Sequence, residues 1–148
     1  MPQSYIQIYV HITCHTKNNY PFITDKISDD LYQYIGGILR NINSIPIQIG
    51  GVQDHVHVLC TLPKTISISK LAEEFKTSSS KWIKTKGDEL KKFYWQDGYG
   101  AFSVSSSKLD SVKKYIQNQK EHHKNMSFRE EYKRFLKEYN IPYDDRYI

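Results

Sequence analysis

The order of periodicities along the chain predicts an α+β sandwich, a mostly antiparallel sheet open on one face with helices packed on the other. Residues 6–13 alternate with period two, residues 24–42 carry apolar side chains at helical spacing, and the two patterns then trade places. The resulting order is β-α-β-β-α-β-α-α.

The first strand places Ile6, Ile8, Val10 and Ile12 on one side and Gln7, Tyr9, His11 and Thr13 on the other, as a half-buried strand does. Thr24 is a plausible N-cap for a helix whose apolar stripe is Ile27, Leu31, Ile35, Ile38 and Ile42. "IPIQIGGVQDHVHVLCTL" reads as a hairpin of two β-rich runs turning at Gly50-Gly51. A second helix follows in "SISKLAEEFKTSSSKWIKTKG", carried by Leu71, Phe75, Trp82 and Ile83 and stopped by Gly87. "FYWQDGYGAFSVS" supplies short β-prone pieces around Gly98 and Gly100. Ser107-Lys108-Leu109-Asp110 has the capping-box pattern and opens a helix over about 108–124. Ser127-Phe128-Arg129-Glu130 repeats that signal for a last helix over about 128–139.

A chain of 148 residues with 39% hydrophobic content fits one domain, 1–148, and no repeat or linker divides it. No apolar run approaches the roughly 18 residues of a membrane helix, and "MPQSYIQIYVHITC" lacks the basic and apolar regions of a signal peptide. Cys14 and Cys60 make no disulfide framework, so the expectation is a reduced, cytoplasmic protein. The net charge is +5, with lysines and aromatics interleaved in "KWIKTKGDELKKFYW". Such a surface suits phosphate backbones and unpaired bases, although lysine-rich helices are also ordinary solvated faces. Lys81, Trp82, Lys84, Lys86, Lys91 and Lys92 are the candidate DNA-facing residues.

The strand "QDHVHVL" poses the chemical question. Alternation puts Val56, Val58 and Cys60 toward the helices and His55, His57, Leu59 and Thr61 on the opposite face. Side chains two apart on a strand lie roughly 6.5–7 Å apart at Cα, so two neutral imidazoles can converge on one divalent ion. Two surface histidines on a solvated face would give the same pattern, and two ligands do not complete a site. In "SVKKYIQNQKEHHK", Tyr115, Gln119 and His122 share one helical stripe beside the apolar stripe of Leu109, Val112 and Ile116. Gln119 offers a carbonyl oxygen to a hard cation, and Tyr115 a phenol that needs a metal or base before it can attack.

Taken in order, "DHVHVL", "WQDGYGAFSVS", "VKKYIQNQKEHH" and "FREEYKRFLKEYNI" resemble the single-tyrosine HUH transposases of insertion-sequence-200-like elements. HUH denotes two histidines around one hydrophobic residue, here His55, Val56 and His57. The resemblance implies a ferredoxin-like fold whose central strand carries the pair, and a divalent metal, Mg2+ or Mn2+, with no nucleotide cofactor. It implies metal binding by His55, His57 and Gln119, with Tyr115 as the nucleophile; His122 and His123 match a recurrent motif of unassigned role. The implied reaction is cleavage and rejoining of single-stranded DNA, hairpin-bearing at the element ends, through a 5′-phosphotyrosine. A homodimer is implied, with the tyrosine helix able to complete the partner's site, in a bacterial or archaeal cell and away from any membrane.

Three other readings compete. A domesticated or related HUH endonuclease could process repeated palindromes with the same core. A non-catalytic nucleic-acid-binding domain would make the histidines incidental. A structural metalloprotein would unfold when His57 is lost.

Overall fold

The computed structural model describes residues 3–148. Strands β1 (Tyr9–His15), β2 (Pro46–Val52), β3 (His55–Thr61) and β4 (Gly100–Val104) form one sheet in the order β2-β3-β1-β4. Each neighbouring pair is antiparallel. Helix α1 (Asp25–Asn41) links β1 to β2, and α2 (Ile68–Ile83) links β3 to β4. Two interleaved β-α-β units with this strand order make the ferredoxin-like sandwich. Among the described residues no helix is long and apolar enough to cross a membrane.

The period-two pattern sorts the central strands onto two faces. Val10, Ile12, Cys14, Val56, Val58 and Cys60 meet Leu31, Ile35, Leu39, Leu71, Phe75 and Ile83 from α1 and α2. Each large apolar side chain removed from water there contributes roughly 1.5–3 kcal/mol. β1 begins at Tyr9, later than the alternation from Ile6 suggests, because both ladders end there: Tyr9 pairs with Thr61 on one side and Val104 on the other. The Ile8 carbonyl still accepts from Leu62 N–H at 2.8 Å, but the side chains of Ile6 and Ile8 stay exposed.

The other face is covered, not open as the sequence suggests. It is closed by α3 (Leu109–Gln117), α4 (Gln119–His122) and α5 (Phe128–Glu138). Leu59, Val104 and Ile116 form a second core with Leu109, Val112 and Tyr115 around them. Phe135 of α5 stacks on Phe102 of β4 at 5.1 Å between ring centroids. These helices carry apolar stripes that need a surface, and Leu59 and Phe102 supply it. Every residue of β3 is therefore buried.

The hairpin turn is Gln53-Asp54, with Val52 opposite His55, and both Gly50 and Gly51 lie inside β2. Thr16 N–H donates to the Asp54 carbonyl at 2.8 Å and Ile23 N–H to that of Gln53 at 2.9 Å, which pins the turn. Gly50 serves helix packing: a Cβ there would stand 2.9 Å from the Ile116 carbonyl oxygen and 3.1 Å from its Cγ2. The absent side chain lets α3 lie close on β2. Gly50→Ala is expected to cost about 1–3 kcal/mol by overpacking, read as a lower urea midpoint; an unchanged midpoint would mean α3 is not seated there.

The tyrosine-bearing helix over about 108–124 is two pieces. Ser106–Lys108 form a 3-10 turn, α3 starts after Lys108 with no side-chain cap, and Asn118 (φ −99°, ψ 22°) separates α3 from α4. The expected capping box at Ser107 is absent; Ser107 Oγ pairs with that of Ser105 instead. An Asn is a weak helix former that competes for backbone partners, so the break falls where propensity is lowest. The last helix follows its signal: Ser127 Oγ accepts from Glu130 N–H at 3.2 Å and opens α5.

Candidate active site

β3 delivers His55 and His57 to the covered face, both fully buried. A buried imidazole must find partners on both nitrogens, and each does. His55 Nδ1 donates to Asp54 Oδ1 at 2.8 Å and its Nε2 to Gln119 Oε1 at 2.8 Å. The pinned turn is what aims Asp54 at the ring. His57 Nδ1 lies 2.7 Å from His11 Nε2, across the β1–β3 ladder, and His57 Nε2 donates to Glu131 Oε1 at 2.8 Å.

Glu131 is the centre of the cluster and is itself 1% exposed. Its Oε1 faces His57 Nε2 and lies 3.4 Å from His55 Nε2. Its Oε2 accepts a short hydrogen bond from the Tyr115 hydroxyl and another from Gln119 Nε2 at 3.1 Å. His123 Nε2 lies 3.2 Å from the same oxygen, while His123 Nδ1 donates to the Met126 carbonyl at 2.7 Å. His55, His57 and Glu131 each offer one ligand atom, all within 4.8 Å of one another.

Burial and these contacts set the charges. For His55, burial alone would lower the pKa, but the Asp54 and Glu131 carboxylates outweigh it and raise it to about 9. The ring is therefore cationic at neutral pH. Burial lowers His57, and the same cause, with the His57 charge, drops its neighbour His11 to about 3. Burial would raise Glu131, yet the His123, His55 and His57 rings around it hold it far below the usual carboxylate range. Tyr115 is pushed well above an ordinary phenol by burial and then by the Glu131 charge and hydrogen bond.

Residues from four separate elements thus meet: His55 and His57 from β3, Tyr115 from α3, Gln119 from α4 and Glu131 from α5. Tyr115 and Gln119 point to the same carboxylate although the helix breaks between them. The sequence reading missed Glu131 in "FREEYKRFLKE", where it passes for one of two surface acids. Its phase gives it away: Phe128, Glu131 and Phe135 recur at i, i+3 and i+7 on one stripe, and Glu130 does not. An acid in phase with the buried stripe requires partners.

The basic segment lies elsewhere. Ile83 anchors the end of α2 in the core on the opposite face of the sheet, away from the histidines. Trp82 stacks on Tyr34 at 5.1 Å, with Lys86 over its indole at 4.8 Å. Lys84 sits over Tyr94 at 4.4 Å, and Lys91 pairs with Asp88 at 2.9 Å. Lys81 and Lys92 are exposed. The structure does not bring these six residues to the His–Glu cluster, and the rings expected to stack on bases already stack within the chain.

Residues 4–119 match the profile of the family described as "Transposase IS200 like". No curated protein is significantly similar to the chain. Among solved structures, a protein of Deinococcus radiodurans R1 assigned as a transposase superposes with a TM-score of 0.63 at 19% identity, over 80% of this chain and 96% of that one. The REP-associated tyrosine transposase bound to a REP hairpin superposes with a TM-score of 0.60 at 17% identity, over 83% of this chain and 73% of that one. At those identities the likeness is one of fold.

Proposed function

Because the chain belongs to the IS200-like transposase family, we propose that it cuts and rejoins single-stranded DNA at element ends by transesterification, through a covalent bond between Tyr115 and a 5′-phosphate. One observation carries this reading: the Tyr115 hydroxyl and the converging His–His–Glu ligand atoms share a single buried carboxylate. A nucleophile, the carboxylate that orients it and a cation site meet at one point.

The donor set fits a divalent metal. His55 Nε2, His57 Nε2 and a Glu131 oxygen would hold it, with the Gln119 carbonyl oxygen beside His55 as a further ligand. When bound, such an ion polarises a non-bridging phosphate oxygen and offsets charge in the transition state. Two imidazoles with a carboxylate and an amide oxygen favour Mn2+ over Mg2+, which prefers an all-oxygen shell. Glu131 Oε2 accepts the hydrogen bond of the phenol and orients it. Asp54 and His11 hold the backs of the two rings so that both Nε2 atoms face the same spot. In the reaction the Tyr115 oxygen bonds to phosphorus, the bond from phosphorus to the 3′-oxygen breaks, and the phenolic proton is balanced by one delivered to that oxygen. Attack by a 3′-hydroxyl runs the step backward, so no nucleotide cofactor is spent.

The test is incubation of the protein and Mn2+ with labelled strands from either side of its gene. A covalent adduct on one hairpin-bearing strand supports the proposal; none on any strand, single or double, overturns the enzymatic reading and leaves a non-catalytic binding domain. The solved neighbour bound to a REP hairpin supports a hairpin-bearing substrate and keeps a second reading, the processing of repeated palindromes, in play. Flanking hairpins around the gene identify an element; scattered palindromes identify the second.

Metal loading should be pH-dependent with a fixed sign. His55 carries its proton below about 9, and a ligating Nε2 must lose it. Mn2+ affinity is therefore expected to rise about tenfold per pH unit up to about 9 and then level off, seen by calorimetry at pH 7, 8 and 9. A flat profile would mean that His55 is already neutral at pH 7.

A further inference from the structure

We propose that His122 is a positioning residue for the nucleophile: its ring holds the Tyr115 phenol in place through the attack, and the adjacent His123 fixes the end of α4 that carries it. The inference rests on the transposase reading above and gives the paired histidines of "QKEHHK" a task.

Seven positions separate Tyr115 from His122. In an unbroken helix they would stand two turns apart, about 10.5 Å along the axis, whereas side chains that meet on a helix are three or four positions apart. Here the helix breaks at Asn118, between them. Their ring centroids lie 4.6 Å apart, with the planes 34° from parallel. The break therefore lets His122 lie over the face of the phenol. His57 and Phe135 meet the same ring steeply, at 89° and 82°, with centroids 5.9 and 5.8 Å away. Three rings confine the phenol, and His122 is the one nearest to parallel.

The anchor is the next residue in the chain. His123 Nδ1 donates to the Met126 carbonyl at 2.7 Å, its Nε2 lies 3.2 Å from Glu131 Oε2, and its ring centroid is 4.4 Å from that of His55. The end of α4 thus stands against both halves of the site, His123 beside the cation ligands and His122 beside the nucleophile.

The hydrogen bond from Tyr115 to Glu131 orients the phenol only while the proton is on it. Attack gives that proton up, and the oxygen then faces a carboxylate that keeps its own charge. Ring packing does not depend on the proton. His57 is committed to the cation site and Phe135 to its stack on Phe102. His122 is half-buried and stands outside the hydrogen-bonded cluster around Glu131. Its position fits one task, holding the phenol while the hydrogen bond is gone.

Two readouts test this, the first without DNA. With meta-fluorotyrosine in place of Tyr115, the fluorine resonance should move to lower field in His122→Ala, because the shielding ring is lost. In His122→Phe it should stay shielded. The second readout is adduct formation with Mn2+ and a labelled hairpin-bearing strand. His122→Ala should lower kcat about 10- to 100-fold with KM nearly unchanged. His122→Phe should recover most of that loss, since a ring is required and a ring nitrogen is not. Mn2+ affinity and the urea midpoint should match wild type in both variants. An unmoved resonance or a wild-type kcat in His122→Ala overturns the positioning role while the transposase reading stands. A His122→Phe protein as slow as His122→Ala overturns it too, in favour of a nitrogen that touches the reacting atoms. Failure of wild type to form an adduct on any strand overturns both.

Discussion

Replacing Tyr115 with phenylalanine is expected to abolish the covalent protein–DNA adduct, a loss on the order of 10⁴-fold or more because no other group completes the step. The folded state should survive. Glu131 still accepts from His57 and Gln119, so losing one hydroxyl costs about 1 kcal/mol. Mn2+ affinity should change little. Adduct yield on denaturing gels, beside a calorimetric Mn2+ titration, separates these outcomes; an adduct of normal yield in Tyr115→Phe would remove the tyrosine from the chemistry. The same variant asks whose site the tyrosine serves. It meets Glu131 of its own chain here, while the family resemblance implies exchange within a homodimer. Mixed with His57→Gln chains, the phenylalanine variant regains adduct formation only if the tyrosine works in its partner's site.

Glu131→Ala should be the most damaging single change to the fold and to the metal site together. Glu131 is buried and accepts from three side chains, with the cationic His55 beside it. Removing the carboxylate strands the His57, Tyr115 and Gln119 donors and leaves His55 with Asp54 alone to balance burial. Breaking a buried charge pair in this way costs about 3–5 kcal/mol, read from a urea transition followed by far-UV circular dichroism. Mn2+ affinity should fall about 10- to 100-fold or more. Glu131→Gln should recover little: its amide turns an N–H toward groups that themselves donate. A Glu131→Ala protein with wild-type Mn2+ affinity would leave Glu131 a structural acceptor only.

Much of this architecture was legible from period alone. The strand-helix order, the capping box at Ser127, and the division of β3 into a valine side and a histidine side all follow from local patterns. What the patterns misjudged were choices decided at a distance. Gly50 and Gly51 look like a turn because glycine usually marks one; Gly50 is required by Ile116, about 66 positions later in the chain. The histidine face looked open because three short amphipathic segments do not announce which surface they cover. Glu131 was hidden because one acid among "REEYKRFLKE" is ordinary in a helix and exceptional only once Phe128 and Phe135 are known to be buried. It also lies outside residues 4–119, the stretch that matches the family.

The proton on His55 has a consequence for the protein before any ion arrives. Four buried polar groups gathered this closely would ordinarily repel one another or collapse. Here the imidazolium lies between Asp54 and Glu131 and donates to Gln119, so the cage is held together by its own proton. Loading then becomes an exchange of one cation for another within a frame already assembled. The cost of organising the site is met during folding, whatever cation it later takes.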